Sequence, residues 1–257
     1  MDPYPQPTLS EIEHAAYGAW PAERVSELGG WRLRYMREVT RRANSVWPLS
    51  SGDTDRAELS ERVDRVEDYY RKLGASQVLF QLSPLAPPDL DSLLADRGYR
   101  VDAPVSVMLA DVATVIQQAP RGNVCIEPTP GSDFLEVAIQ RGRYKDFREE
   151  FLGLLGRIQG RAGFASVEAK DRPVASGLGV CDGPLLGLFA ISTITDARRK
   201  GFASGLLGGL CRWAERKGAR HAYLQVEQDN TAALKLFTRH GFRESYSYHY
   251  RQLDLED

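Results

Sequence analysis

Arg198, Gly201 and Ala203 form an R-x-x-G-x-A pattern inside ISTITDARRKGFAS, residues Ile191–Ser204. An apolar, strand-like run precedes the pattern and apolar residues at helical spacing follow it. The stretch therefore predicts a strand, a tight turn and the opening of a helix. The chemistry this permits is anion binding by bare backbone. The first N–H groups of a helix have no partner inside it and point outward. The helix dipole adds positive potential at the same end. A pyrophosphate is welcome there without a pocket of charged side chains. Gly201 has no Cβ and lets the backbone approach a ligand closely, and Ala203 is nearly as small.

Composition narrows the classes that remain. The chain has 257 residues, 42% hydrophobic and 26% charged, with a net charge of −2. This fits one or two globular domains with an ample core and offers no basic excess for bulk nucleic-acid binding. Cys125, Cys181 and Cys211 are odd in number and far apart, which fits a reduced, cytoplasmic interior rather than a disulfide framework. The start, MDPYPQPTLSEIEH, has no positive region followed by an apolar one, so no signal peptide is expected. No apolar run approaches 18 residues, so no membrane span is expected.

The elements that must position the turn follow from periodicity and punctuation. Trp31–Val39 and Ala43–Leu49 read as a pair of strands, and SSGDTD as a polar loop with capping residues. Leu59–Leu73 reads as a helix stopped by Gly74, Gln77–Leu82 as a strand, Asp89–Arg97 as a short helix, Val101–Ala110 as a strand and Pro120–Asn123 as a linker. Val124–Glu127 is expected as a short strand, with Ser132 capping a helix over Asp133–Gln140 and a second helix over Tyr144–Gly156. Phe164–Lys170, Val174–Cys181 and Leu185–Thr195 read as an antiparallel meander. Phe202–Lys217 is the helix after the turn, and Gly205, Gly208 and Gly209 within it are expected at close-packing sites against the sheet or a ligand. Tyr223–Glu227 reads as a strand, Asn230–Arg239 as a helix capped by Asp229 or Asn230, and Ser245–Leu253 as a final strand. The run Val78–Arg100 aligns with Ala222–Glu244, pairing LFQL with YLQV and RGYR with HGFR, so the chain is expected to hold one fold twice.

These residues resemble the GNAT family of acyl-CoA-dependent N-acetyltransferases. The Arg198–Ala203 turn is similar to that family's acetyl-CoA signature, and LQVEQDNTAALKLFTRHGF, Leu224–Phe242, to its second one. The resemblance covers about Val124–Leu253. It implies an α/β (α+β) fold, a mixed, mostly antiparallel sheet flanked by helices, splayed between its fourth and fifth strands to admit the pantetheine arm. With the repeat, it implies a degenerate GNAT-like domain over 1–119 and an acetyltransferase domain over 120–257. Carried over by position, Ile191 and Thr193 would offer backbone groups to the pantetheine. The N–H groups of Arg199, Lys200, Gly201, Phe202, Ala203 and Ser204 would cradle the pyrophosphate. Arg198 begins the signature, Lys200 adds charge, the Ser204 hydroxyl adds a donor, and Asn230 lies near the cofactor arm.

One position departs from the family. Many members carry a Tyr four residues before the Gly-aromatic pair, to protonate the departing thiolate; here it is Phe237. The packing role survives and the acid role does not. A water, the product ammonium, or Tyr246, Tyr248 or Tyr250 could substitute. Glu227, at the end of the fifth strand, is the candidate general base, against the alternative that it orders the turn into the next helix. Tyr144, Asp146, Glu149 and Glu150 either line the acceptor side or form a solvated face. The N-terminal half lacks the pyrophosphate turn and is acidic where it would lie, so it is expected to leave CoA unbound and to shape the acceptor pocket.

Other patterns carry less. Gly177-Leu-Gly lies within a strand and lacks the third glycine of a dinucleotide fingerprint. His14, His221, His240 and His249 have no metal spacing, and His240 reads as a residue at a helix C-terminus. Arg41-Arg42 is expected to face solvent. The resulting expectation is a cytoplasmic, metal-free N-acetyltransferase, monomer or homodimer. It would move the acetyl group of acetyl-CoA to a small-molecule amine by direct attack in a ternary complex. The alternatives are a non-catalytic acyl-CoA-binding module and an enzyme acting on a protein N-terminus or lysine. Neither nucleic acid nor membrane is expected as a partner.

Overall fold

The computed structural model of the chain describes residues 5–49, 55–140, 144–158 and 161–255. The first half runs α1 (Leu9–Ala19), β1 (Arg24–Leu28), β2 (Trp31–Tyr35), β3 (Val46–Trp47), α2 (Arg56–Lys72), β4 (Gln77–Leu82), α3 (Leu90–Asp96), β5 (Arg100–Asp111) and α4 (Val112–Gln118). The second half runs β6 (Cys125–Glu127), α5 (Ser132–Leu135), α6 (Arg148–Arg157), β7 (Ala162–Glu168), β8 (Pro173–Asp182), β9 (Leu185–Thr193), α7 (Phe202–Glu215), β10 (His221–Glu227), α8 (Thr231–Arg239) and β11 (Arg243–Asp254).

Several expectations change. α1, β1 and α4 lie outside the expected elements; Thr8 and Glu11 start α1 as a capping box, the Thr8 N–H donating to the Glu11 carboxylate at 2.7 Å and the Glu11 N–H to the Thr8 hydroxyl at 3.3 Å, and the helix buries Ile12, Ala15, Ala16 and Ala19 on one face. The strand expected over Trp31–Val39 ends at Tyr35, because Arg37 and Glu38 take positive φ, 43° and 61°. The Asn44 side chain fixes that bend by accepting the N–H groups of Met36 at 2.6 Å and Glu38 at 3.0 Å. Gly131, not Ser132, holds the N-cap of α5, and after one turn the helix widens into a π-helical turn, Glu136–Gln140. Arg41 and Arg42 are half-buried: Arg41 pairs with Asp102, and Arg42 lies 5.5 Å over the Trp20 ring. Most of the SSGDTD loop lies outside the described residues; Asp55, its last residue, caps α2 by accepting the Glu58 N–H at 2.8 Å.

The repeat is visible in the pairing. In the first half, β1, β2 and β3 pair antiparallel in succession, and β3 pairs parallel with β4 across the α2 crossover. In the second half, β7, β8 and β9 do the same, and β9 pairs parallel with β10 across α7. The chain forms two compact units, Met1–Ala19 with Ser106–Ser245, and Trp20–Val105 with Tyr246–Asp257. The expected division at residues 119/120 is not the division of these units, because the last strand of each repeat is used by the other. The Ser106–Asp111 part of β5 lies beside β10, giving the order β5-β10-β9-β8-β7-β6. The later part of β11 pairs antiparallel with β4, His249 opposite Leu82 through Asp254 opposite Gln77, giving β1-β2-β3-β4-β11.

Glycines decide how closely α7 sits. On β7 and β8, a Cβ on Gly163, Gly177 or Gly179 would fall 2.8 Å from Trp213, 2.7 Å from Leu206 and 3.1 Å from Leu210. The G-x-G of β8 is therefore a flat seat for helix side chains. On the far face of α7, Gly205, Gly208 and Gly209 meet the Ala119–Val124 connection rather than the sheet. A Cβ on Gly208 would lie 2.6 Å from the Ala119 Cβ, and one on Gly209 2.8 Å from the Val124 Cβ. Each interior glycine costs about 1 kcal/mol in helix propensity. The helix offsets this by burying Leu206, Leu207 and Leu210 completely, at about 1.5–3 kcal/mol each.

Candidate functional site

The site begins at a bulge. Between β8 and β9 the register runs Ser176 opposite Ser192, then Leu178 opposite Phe189. Ala190 and Ile191 therefore face the single residue Gly177, and Ala190 sits at φ +48°. Such a bulge bends its strand. β9 accordingly leaves β10: their parallel pairing runs from Leu185/His221 to Leu188/Leu224 and stops, although β9 continues to Thr193 and β10 to Glu227. Burial changes at the same place, with Leu185–Phe189 buried and Ala190–Thr193 half-exposed. Strands that part leave backbone N–H and C=O groups along the gap, which an extended amide chain can take up.

The turn after β9 is shaped by two left-handed residues. Arg199 has φ +63° and Gly201, at the N-cap of α7, φ +86°. The first helical bond onto the turn is Gly205 N–H to the Gly201 carbonyl, 3.0 Å. The amides of Phe202, Ala203 and Ser204 thus precede the first carbonyl that a helix can offer them. Gly201 carries no capping side chain to occupy them. At α2 the Asp55 carboxylate takes the equivalent amide. Successive amides in a left-handed turn form a concave anion nest, and Arg198, Arg199 and Lys200 surround it, all exposed.

The signature cations also hold the loop. Arg198 donates from Nε to the Thr193 carbonyl at 3.3 Å, and Lys200 from Nζ to the Asp196 carbonyl at 2.8 Å. Arg172 pairs with the Asp196 carboxylate and holds its pKa below the usual range. The Ile191 side chain lies over Gly177, 3.3 Å from the position of a Cβ there. Asn230 resolves the capping alternative: its Oδ1 accepts the Ala233 N–H at 3.1 Å. Glu227 is half-buried, beyond the last β9–β10 pair, and its carbonyl accepts the Asn230 N–H at 3.0 Å. Phe237 is buried edge-on against Phe242, ring centroids 5.8 Å apart.

Tyr144 is buried and stacked on Phe151 at 3.8 Å, a packing role, while Asp146 and Glu149 are exposed. Tyr246, Tyr248 and Tyr250 are buried and belong to the other compact unit. Among the described residues, no group of three His, Cys, Asp or Glu could hold a metal ion, and no helix is long and apolar enough to cross a membrane.

Two features were missed. Ser106, buried on β5, donates to the Glu244 carboxylate and accepts from Gln228 Nε2 at 3.4 Å, bringing a residue of the first repeat to the end of β10. Nothing in the sequence signals this, because it follows from the strand exchange. His240, 2% exposed, places Nε2 2.8 Å from the Ser204 hydroxyl of the turn.

Known proteins share this fold. Residues 8–251 match the family described as "Probable histone acetyltransferase Rv0428c C-terminal". The chain is 30% identical over 248 residues to YobR of Bacillus subtilis, named as an N-acetyltransferase, covering 95% of this chain and 98% of that one. Among solved structures, a GCN5-related N-acetyltransferase from Kribbella flavida superposes with a TM-score of 0.69 at 14% identity, covering 92% of this chain and 91% of that one. A tandem GNAT protein from the clavulanic acid biosynthesis pathway gives 0.63 at 13% identity, covering 83% and 76%.

Proposed function

Because the chain belongs to the GNAT family of N-acetyltransferases and has their acyl-CoA N-acyltransferase fold, we propose that it moves the acetyl group of acetyl-CoA to the amine of a small molecule in the cytoplasm. The observation that carries this reading is the parting of β9 from β10 after Leu188 and Leu224, directly upstream of the open amide turn at Arg199–Ser204. The gap suits the two amides of a pantetheine arm, and the turn suits a pyrophosphate.

The chemistry asked of the protein is modest. A neutral amine attacks the thioester carbonyl in a ternary complex, and the thiolate leaves. Backbone donors along the parted strands polarise the carbonyl and hold it against the amine. Glu227 is assigned the proton from the incoming amine, directly or through water. Phe237 packs and donates nothing, so the thiolate takes its proton from water or from the charged nitrogen of the tetrahedral intermediate as the amide forms. The N-terminal repeat is assigned no donor site, since Asp55 already occupies the Glu58 amide in the first turn of α2.

A second reading, a protein lysine or N-terminus as acceptor, draws on the description of the matched family. The test is release of CoA thiol from acetyl-CoA across a panel of small amines and basic peptides, with calorimetry of CoA binding. We expect one CoA bound per chain and turnover with a small amine. Turnover with peptides alone overturns the acceptor assignment. CoA binding without turnover on any amine favours a non-catalytic module, and absence of CoA binding overturns the donor reading.

A further inference from the structure

His240 follows α8 and packs against the turn that opens α7, burying its ring to 2% exposure. Burial, with the Arg239 charge beside it, lowers the imidazole pKa, so the ring is neutral near pH 7. A neutral ring carries one proton. On Nδ1 that proton would sit on a buried nitrogen that has no partner among the described residues. On Nε2 it points at the Ser204 hydroxyl, 2.8 Å away. The second placement leaves only a lone pair unmet, whereas the first buries an unsatisfied N–H and leaves the 2.8 Å contact to the hydroxyl alone. With Nε2–H donating to Ser204 Oγ, the hydroxyl's own proton is released from His240 and is available to an anion over the turn.

We propose that His240 is a positioning residue for the donor, aiming the Ser204 hydroxyl at the pyrophosphate held by the α7 turn. The inference rests on the acetyl-CoA reading above and adds a residue to it. His240 touches no reacting atom. It acts through Ser204, so its effect is confined to ligands that carry the pyrophosphate.

That confinement supplies the test. CoA and pantetheine, which ends before the pyrophosphate, are each titrated calorimetrically into the whole chain and into four variants: Ser204→Ala, His240→Leu, His240→Gln and the double variant Ser204→Ala/His240→Leu. A hydrogen bond to a charged group weakens binding about tenfold when lost. We expect Ser204→Ala and His240→Leu each to weaken CoA about tenfold and to change pantetheine less than twofold. The double variant should bind CoA no more weakly than Ser204→Ala, because both remove one interaction. His240→Gln, whose amide N–H reaches to where Nε2 stands, should restore most of the affinity. Parallel losses for CoA and pantetheine, or additive losses in the double variant, would overturn the inference and leave His240 as packing. If pantetheine and CoA bind equally to the unaltered chain, the pyrophosphate assignment fails, and if neither binds, the donor reading itself fails.

Discussion

Replacing Gly201 by Ala separates the turn's conformation from its chemistry. Gly201 sits at φ +86° with nothing within 4 Å of the position a Cβ would take, so the substitution meets no steric obstacle. Its cost is conformational: about 1–2 kcal/mol for an L-residue in the left-handed region, partly offset by about 0.4–1 kcal/mol from a stiffer unfolded chain. The net loss is roughly 0.5–1.5 kcal/mol, which lowers the Tm of a protein this size by roughly 1–6 °C. Gly218, at the other end of α7, provides the matched control. It has φ +96° and equally empty surroundings, so Gly218→Ala should lower the Tm by the same amount. The donor distinguishes them. An alanine at 201 is relieved by flattening the turn, which turns the Arg199–Ser204 amides away from their common focus. CoA affinity should fall at least tenfold in Gly201→Ala and stay within twofold in Gly218→Ala. Differential scanning calorimetry gives the first quantity and isothermal titration the second. Equal loss of CoA affinity in both variants, or an unchanged Tm in both, would refute the reasoning.

Three further outcomes follow from the packing and capping described. Gly209→Val places a side chain where the Val124 Cβ stands 2.8 Å away and should cost about 1–3 kcal/mol. Gly205→Ala, whose Cβ would lie 3.9 Å from the Gly122 Cα, should gain up to about 1 kcal/mol of helix propensity; thermal melts compare the two. Asn230→Ala removes the α8 cap and should cost about 1 kcal/mol, whereas Asn230→Asp keeps the cap and instead weakens CoA by adding a negative charge beside it, read by melts and titration together. Burial pushes the Cys181 thiol up to about 11 and Cys211 to about 12, while Cys125 is exposed. Iodoacetamide near neutral pH should therefore alkylate Cys125 alone in the folded chain and all three after denaturation, as mass spectrometry would show.

The donor side of the site was legible because it depends on consecutive residues. R-x-x-G-x-A places Gly201 where φ must be positive, and Asn230, three residues before Ala233, can cap only the helix that follows it. The glycines of α7 were legible as close-packing sites but not by partner: whether Gly209 meets sheet or connection depends on where Val124 runs, which no local pattern encodes. α1 was missed because its buried face is built from alanines, which give a weak period. Ser106 was out of reach for a different reason. A strand's own sequence states its pleat and not its neighbour, so exchange of the last strands between the repeats leaves no local trace. His240 was visible as a helix-end residue, but its hydrogen bond to Ser204 spans two helices.

That exchange also sets an order of events during synthesis. β4 is complete at Leu82, yet its antiparallel partner begins at His249, about 170 residues later. At roughly 5–20 residues per second, the ribosome needs about 10–30 s to deliver it. Throughout that interval one edge of β4 presents unpaired N–H and C=O groups, the kind of edge that recruits strands from other chains. The first repeat therefore cannot finish folding as it emerges, and His249–Asp254 are the residues that close it. A nascent chain stalled near residue 240 would hold every residue assigned to the donor turn and still carry an open edge. Its solubility should depend on chaperones far more than that of the finished protein.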